Sequence, residues 1–172
     1  MARTADPQLR QELLDGAVDH VCAHGLTNLS LRPLADALGV TPGTLLYHFG
    51  SKEALLMEII RAGRERQQAA LEQTNDMLSL WKVWTKPSWL PIAKMFFEVY
   101  ALALEDPTRF PGFAESAVDD WLRAIAPKAT ADARAAATLE LAVFRGLLLD
   151  LCATGDRART TAAIQRFAKL TR

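Results

Sequence analysis

Hydrogen-bond donors of several kinds are concentrated in one short stretch, GVTPGTLLYHFGSKEAL, at positions 39–55. They are two hydroxyls, a phenol, an imidazole and an ammonium, carried by Thr41, Thr44, Tyr47, His48 and Lys52. Residues 37–52 contain no aspartate or glutamate, although the chain has 20 acidic residues among 172. Such donors suit phosphate oxygens, and a surface that approaches phosphates must locally exclude carboxylates. The stretch is therefore a candidate surface for binding nucleic acid, although acid-free windows of this size also arise by chance.

Two short helices are predicted to hold these donors. Ser30 is a natural N-cap for LRPLADAL, and Gly39 ends that helix. Thr41 followed by Pro42 begins the next helix, which runs to about Phe49. Two short helices joined by a tight glycine turn form a helix-turn-helix, whose second helix enters the DNA major groove by its N-terminal end. Similar helix pairs also occur in all-α proteins that bind no DNA, so the pattern alone leaves both interpretations open.

Helical periodicity extends over the rest of the chain. The other predicted helices are Pro7–His24 with Asp6 as N-cap, a helix capped by Ser51 that continues toward Ser79, IAKMFFEVYALALE, Ala114–Ile125, Ala131 to about Ala153, and Arg157–Leu170. The segment WKVWTKPSWLP is expected to interrupt the helices, and no alternating strand pattern is present. The predicted fold is all-α, with a three-helix helix-turn-helix DNA-binding domain in residues 1–52 and a helical domain in residues 53–172.

The bulk composition excludes several classes of protein. Half of the residues are apolar and 23% are charged, which favours a globular core over disorder. The formal net charge is zero, so a nucleic-acid partner needs a local patch. Cys22 and Cys152 lie far apart in apolar runs and are expected to be reduced thiols. The start, MARTADPQLRQELL, has no apolar signal-peptide stretch, and no run of 18 apolar residues occurs, so we expect a cytoplasmic protein without a membrane segment.

The segment LRPLADALGVTPGTLLYHFGSKEALL resembles the DNA-binding region of the tetracycline-repressor (TetR) family of transcriptional regulators. Members commonly show a Leu-Ala-x-x-Leu-Gly-Val turn, a Thr-Leu-Tyr-Tyr-His-Phe-like recognition helix, and then Ser/Asn-Lys-x-x-Leu. The corresponding residues here are Leu34-Ala35, Leu38-Gly39-Val40, Thr44-Leu45, Tyr47-His48-Phe49 and Ser51-Lys52. The resemblance covers about residues 9–60. The tail FRGLLLDLCATGDRARTTAAIQRF also resembles the C-terminal dimerisation helices of many members.

The resemblance implies a set of DNA contacts. These are phosphate contacts from Ser30 and Arg32, base-edge contacts from Thr41, Pro42, Gly43 and Thr44, and further phosphate contacts from Tyr47, His48 and Lys52. Leu46 stands where the family usually has tyrosine, and its side chain can contact a thymine methyl group. Because Pro42 and Gly43 offer no side-chain donors, we expect modest sequence specificity in which phosphate contacts and DNA shape count heavily.

A homodimer is predicted, because helix-turn-helix dimers read two half-sites of palindromic operator DNA. The segment LELAVFRGLLLDLC, positions 139–152, has three charged residues, and a helix that is apolar nearly all round must be covered on more than one side. That cover is either a C2 partner or the core of a monomer. The resemblance favours an intersubunit four-helix bundle, with interface residues Phe144, Leu147, Leu148, Leu151, Ile164 and Phe167.

The middle of the chain is rich in large aromatic residues. Most are expected to be ordinary core, and the functional interpretation is a pocket between helices for an apolar small-molecule effector. The predicted lining is Phe96, Tyr100, Phe113, Trp121 and Phe144. Effector and DNA would weaken each other's binding by a shared coupling free energy, typically about 1–3 kcal/mol.

The sequence therefore predicts a TetR-type transcriptional regulator, by family default a repressor that an apolar effector releases from its operator. The alternative is a helical carrier of hydrophobic ligands without DNA binding. An enzyme is not favoured: His20 and His24 have the i, i+4 spacing of metal ligands, but HVCAH lacks the glutamate of a metalloprotease. No catalytic residue, metal or cofactor is predicted.

Overall fold

The computed structural model describes residues 6–26, 29–74, 76–125 and 130–171. These residues form nine α-helices and contain no β-strand. The helices are α1 (Pro7–His24), α2 (Leu31–Ala37), α3 (Pro42–Phe49), α4 (Lys52–Glu72), α5 (Met77–Trp84), α6 (Leu90–Glu105), α7 (Phe113–Ile125), α8 (Ala131–Thr154) and α9 (Arg157–Leu170). The predicted all-α fold class is confirmed.

The chain divides into two compact units, Met1–Arg66 and Gln67–Arg172. The boundary predicted after residue 52 lies at the start of α4, whereas most of that helix, residues 52–66, clusters with the N-terminal unit. One reason is that Arg66 of α4 forms ion pairs with Asp15 and Asp19 of α1, at N–O distances of 2.9 and 3.3 Å.

In the first unit, α1 begins where the Asp6 carboxylate accepts hydrogen bonds from the backbone N–H groups of Gln8 and Leu9. Pro7 occupies the first helical position, where a backbone N–H would have no partner within the helix. The missing N–H of proline therefore costs no hydrogen bond there. The helix buries one apolar face, formed by Leu13, Leu14, Ala17, Val18 and Val21. Its N-cap and its bounds agree with the sequence prediction.

The turn between α2 and α3 depends on Gly39. Its φ of +68° lies in the left-handed region, which side chains other than glycine's rarely adopt. The Val40 N–H donates to the carbonyl of Ala35 at 3.0 Å, which closes the turn. Leu45 and Phe49 of α3 are buried, so one side of this two-turn helix is anchored and the other is left for the solvent.

In the second unit, α8 packs against α5, α6, α7 and α9. Its Phe144 is fully buried, with the rings of Trp81, Trp84 and Trp121 around it at centroid distances of 5.7, 5.5 and 5.0 Å. Ile164 of α9 is also fully buried in this cluster. The aromatic residues of the middle region are thus mainly core, as expected for most of them.

The predicted extension of the fourth helix to Ser79 is wrong. α4 ends at Glu72, and α5 begins at Met77 and continues into the segment that was expected to be irregular. The Asp76 carboxylate accepts hydrogen bonds from the N–H groups of Leu78 and Ser79, both at 2.9 Å, and from the Ser79 hydroxyl. These bonds lower the pKa of Asp76 and fix it as an N-cap, which starts a new helix within an otherwise continuous apolar pattern.

Candidate nucleic-acid interface

An open groove of 520 Å³ runs along α3. Its lining residues come from the start of α1 and from α3 with its N-cap: Asp6, Leu9, Thr41, Gly43, Thr44, Tyr47 and His48. Five of the ten residues predicted to contact DNA therefore share one concave surface. This surface lies entirely within the first unit.

The threonines of this groove are set by the start of the helix. Thr41 is the N-cap, and its Oγ1 accepts a hydrogen bond from the Thr44 N–H at 3.2 Å. The two hydroxyl oxygens lie 3.0 Å apart and share one hydrogen bond, so one of the two hydroxyl protons remains for a partner in the groove. Beside them, a Cβ added at Gly43 would meet Thr41 Oγ1 at an ordinary 3.6 Å. Nothing in the chain itself thus requires glycine at position 43, and the bare backbone there is suited to close approach by a partner.

The outer side of α3 carries large exposed side chains. Tyr47 is 54% exposed and Leu46 is 40% exposed, an unusual degree of exposure for a tyrosine and a leucine on a short, well-packed helix. The rings of Tyr47 and His48 lie edge to face with centroids 5.2 Å apart. Tyr47 therefore presents its phenol at the surface as a donor for phosphate oxygens, with the half-buried imidazole of His48 beside it.

The other predicted DNA contacts lie outside the groove lining. Ser30 and Arg32 are exposed at the start of α2, and Lys52 is exposed as the first residue of α4. Pro42 is half-buried at the first position of α3. The donors among them stand at the beginnings of two helices, where basic and hydroxyl side chains add to the positive end of the helix dipole.

Sequence reasoning missed Arg10 of α1, which holds the C-terminal end of α3. Its Nε donates to the carbonyl of His48 at 3.3 Å, and its Nη2 lies 2.5 and 2.6 Å from the two carboxylate oxygens of Glu58 in α4. Its guanidinium also lies 4.9 Å from the centroid of the Phe49 ring. One side chain therefore joins α3 to α1 and α4. His48 Nδ1 is buried and has no hydrogen-bond partner.

Asp6 and Leu9 were also missed as parts of this surface. The prediction of an acid-free stretch is correct along the sequence, yet the fold brings the Asp6 carboxylate into the same groove. The capping role of Asp6 has a local sequence signal, whereas its place beside α3 has none.

The five residues predicted to line an effector pocket form two groups in the second unit. The rings of Phe96, Tyr100 and Phe113 contact one another with centroids 5.7–6.4 Å apart. The Arg145 guanidinium lies 5.2 and 5.5 Å from the Phe96 and Tyr100 centroids, respectively, and donates to the carbonyl of Ala117. The other group is Trp121 packed on Phe144. Arg145 had not been predicted at this site.

Most of the residues predicted for the dimer interface are buried within their own unit. Phe144, Leu148, Leu151 and Ile164 are at most 3% exposed, while Leu147 and Phe167 are half-buried. A different set faces the solvent at heptad-like spacing along α8: Leu139, Ala142, Gly146, Leu149 and Ala153. Buried side chains are not available to a partner without repacking, so the exposed stripe is the better surface for one.

The two histidines of α1 and the two cysteines were the other candidates for chemistry. The rings of His20 and His24 stack with centroids 4.3 Å apart, and His24 Nδ1 lies 2.9 Å from the His20 carbonyl oxygen. Burial and the neighbouring His24 lower the pKa of His20. Within the described ranges, no three metal-ligating side chains come together. Both cysteines are free thiols, and burial raises the pKa of each.

As for membranes, none of the helices in the described part of the chain is long and apolar enough to cross one.

Comparison with known sequences identifies relatives over part of the chain. Residues 13–59 match the family described as bacterial regulatory proteins, tetR family. The HTH-type transcriptional repressor KstR2 of Rhodococcus jostii is 44% identical over 52 residues, which are 30% of this chain and 26% of that protein. The HTH-type transcriptional repressor AcnR of Corynebacterium efficiens is 33% identical over 113 residues, 66% of this chain and 45% of that protein. The chain thus spans less than half the length of these relatives.

Solved structures extend the similarity to both units. A TetR-family transcriptional regulator from Cytophaga hutchinsonii has a TM-score of 0.77 at 17% identity, with 95% of this chain and 92% of that chain covered. At that identity the match shows a common fold. The multidrug binding protein EbrR, solved in complex with imidazole, has a TM-score of 0.62 at 25% identity, with 94% and 90% covered.

Proposed function

We propose that the chain, whose residues 13–59 match the tetR family of bacterial regulatory proteins, is a cytoplasmic, DNA-binding transcriptional repressor of that family and that it leaves its operator when an apolar small molecule binds to the second unit. The observation that carries this proposal is the groove on α3, where Thr41, Thr44, Tyr47 and His48 converge. A carrier of hydrophobic ligands would not need Tyr47 to be exposed. Repression follows the relatives KstR2 and AcnR, both of which are named as repressors.

In the proposed complex, the N-terminal end of α3 enters the major groove. Thr41 and Thr44 meet base edges, and Gly43 lets the backbone come close. Leu46 contacts a thymine methyl group, and Tyr47 and His48 donate to phosphates. Exposed Ser30, Arg32 and Lys52 add phosphate contacts on either side of α3. Few of these side chains read hydrogen-bonding patterns on bases, so the ratio of operator to random-duplex affinity should lie near the lower end of the usual range, about 10³.

A homodimer is proposed to read a palindromic operator, since one eight-residue recognition helix offers few base contacts. The second copy would cover the exposed stripe Leu139, Ala142, Gly146, Leu149 and Ala153 of α8. Alanine and glycine in this stripe allow two helices to approach closely. A Cβ added at Gly146 meets nothing within 4 Å in the single chain, so the surface there is open for a partner helix.

The effector is proposed to bind among the aromatic side chains of the second unit. Support comes from EbrR, a structural relative whose name describes a multidrug binding protein and which has been solved with proflavin as well as imidazole. α4 begins in the first unit and ends in the second, so it is the element through which a bound effector would change the presentation of α3. Effector and operator then oppose each other by linkage.

The test is fluorescence anisotropy with the DNA upstream of the protein's own gene, compared with a random duplex of equal length. Lys52→Ala should weaken both complexes about three- to tenfold and reduce the slope of log affinity against log salt by about one, because one phosphate contact is lost. Lys94→Ala, an equal charge change at an exposed position of α6, is the matched control and should bind like the unmodified chain. Equal affinity for both duplexes, with no effect of Lys52→Ala, would contradict the proposal.

A further inference from the structure

Two tryptophans in the core of the second unit have indole N–H groups without a hydrogen-bond partner. Trp84 of α5 is 8% exposed and Trp121 of α7 is 5% exposed, and the Nε1 atom of each is buried and unpaired. Trp81 provides an internal contrast, since its Nε1 donates to Thr161 Oγ1 at 3.1 Å. Folded proteins pair the large majority of their buried donors, so two unpaired donors in one core require an explanation.

The two unpaired groups belong to the same part of the core. Trp84 and Trp121 both pack on the ring of Phe144, with centroid distances of 5.5 and 5.0 Å. The core cluster that contains both rings is apolar and aromatic, and the buried polar residues of the described ranges, Gln67, Thr85 and Thr160, are all uncharged. No acceptor among the described residues is placed to receive either N–H. Both donors thus lie in one apolar cluster in which neither has a hydrogen-bond partner.

We propose that this region binds an uncharged aromatic or fused-ring molecule whose oxygen or nitrogen atom accepts hydrogen bonds from Trp84 and Trp121. The acceptor follows from the indole N–H, which can only donate. The absence of charge follows because no charged side chain is buried among the described residues, so an ion bound there would have no partner for its charge. The flat shape follows from the rings that would flank it. The inference rests on the proposed function only for the ligand's regulatory role, and it names the chemical class of the effector.

The test uses three probes of nearly equal shape on the full chain: 1-tetralone, tetralin and the 1-aminotetralin cation. Affinities are measured by titration of the indole signals in ¹H–¹⁵N spectra. The ketone should bind about tenfold more tightly than the hydrocarbon, which is the effect of about one hydrogen bond. The cation should bind at least tenfold more weakly than the ketone. The ketone should also move the Trp84 and Trp121 indole protons downfield and leave the Trp81 signal in place.

Variants identify the signals and calibrate them. Trp84→Phe and Trp121→Phe each remove one signal and should each reduce the preference for ketone over hydrocarbon. Thr161→Val removes the acceptor of Trp81, so the Trp81 signal of that variant marks the position of an unpaired buried indole N–H. Should a phenylalanine variant fail to fold, the ratio of probe affinities in the unmodified chain still decides the question.

Three results would overturn the proposal: equal affinity for ketone and hydrocarbon, binding of neither, or free-protein signals of Trp84 and Trp121 already at the hydrogen-bonded position, as a buried water would place them. If the ketone binds with the expected preference and operator affinity stays unchanged, the site stands and the regulatory part of the proposed function fails.

Discussion

The negative charge of Asp6 is favourable at the start of α1 and unfavourable in the groove on α3. As the N-cap of α1 it accepts hydrogen bonds from the Gln8 and Leu9 N–H groups. As a lining residue of the groove on α3 it places a negative charge beside the proposed path of the DNA phosphates. The cap stabilises the helix, whereas the charge weakens binding to any duplex.

Asp6→Asn separates the two effects, since asparagine caps helices about as well as aspartate. The melting temperature should change little, while affinity for operator and random duplex alike should rise about two- to fivefold at low salt. Anisotropy titrations at several salt concentrations measure the change. Glu65→Gln removes an equal charge from an exposed position of α4 and should have no such effect. An unchanged affinity for Asp6→Asn would mean that DNA does not pass along this groove.

We expect Arg10 to affect DNA binding through α3, as a positioning residue. Arg10→Met removes the bonds to the His48 carbonyl and to Glu58, and it leaves Glu58 with the more distant and largely exposed Arg61. The free energy of unfolding should fall by about 2 kcal/mol, because hydrogen bonds to charged groups are among the stronger ones. Operator affinity should fall as well, because the end of the recognition helix is released.

The double variant Arg10→Met/Glu58→Met separates stability from positioning. Because the double variant no longer contains the poorly paired Glu58 carboxylate, its free energy of unfolding in chemical denaturation should be closer to that of the unmodified chain than that of Arg10→Met is. Operator affinity should stay low, because the His48 carbonyl still lacks its donor. Recovery of both together would show that Arg10 contributes stability alone.

The donors on α3 could be predicted from sequence because they lie within one turn-delimited segment. Asp6 and Arg10 could not, because nothing local distinguishes them from other polar residues of an amphipathic helix. Their positions beside α3 arise from the tertiary fold, and that placement has no periodic signature along the chain.

α3 has only two turns, so its first hydrogen bonds matter to the whole element. Such a short helix is unstable alone and depends on its cap and its buried face. Thr41 provides the cap and also lines the groove, so one position controls both helix stability and DNA binding.

Thr41→Asp should leave α3 folded and weaken operator binding. Aspartate caps as well as threonine, so the free energy of unfolding should stay within about 0.5 kcal/mol of the unmodified chain. Its charge in the groove should weaken operator binding at least tenfold, since like charges facing each other at an interface are costly. Thr41→Ser keeps the cap without the charge and is the control. Circular dichroism and anisotropy on the same samples provide the two measurements, and normal binding by Thr41→Asp would remove α3 from the interface.

Helix bounds were predictable wherever a cap and a glycine or proline coincide, as at Asp6 with Pro7 and at Thr41 with Pro42. The break between α4 and α5 was not, because the apolar spacing continues across it toward Ser79. At that point the chain could either continue α4 or start a new helix capped by Asp76. Three hydrogen bonds to the Asp76 carboxylate favour the new helix.

The assembly proposed for the whole molecule depends on which side of α8 is covered by the chain itself. Its sequence is apolar nearly all round, so sequence alone cannot separate the side that packs in the core from the side that meets a partner. In the structure Phe144, Leu148 and Leu151 face inward, and Leu139 and Leu149 remain 53% and 51% exposed. The homodimer therefore remains a proposal, and its proposed interface is the exposed stripe of α8 instead of the residues predicted from the sequence.

Leu149→Glu tests that surface. A carboxylate at the centre of an apolar interface would be buried without a partner, so the variant should be monomeric at micromolar concentration and should lose at least tenfold in affinity for a palindromic operator. Sedimentation velocity gives the mass, and the exposed position of Leu149 means that the helix content should not change. Leu104→Glu introduces the same charge at a leucine of α6 that is 66% exposed, and it should leave both mass and affinity as they are. If Leu149→Glu sediments as a dimer, α8 does not pair through this stripe, and the second copy must be sought elsewhere on the second unit.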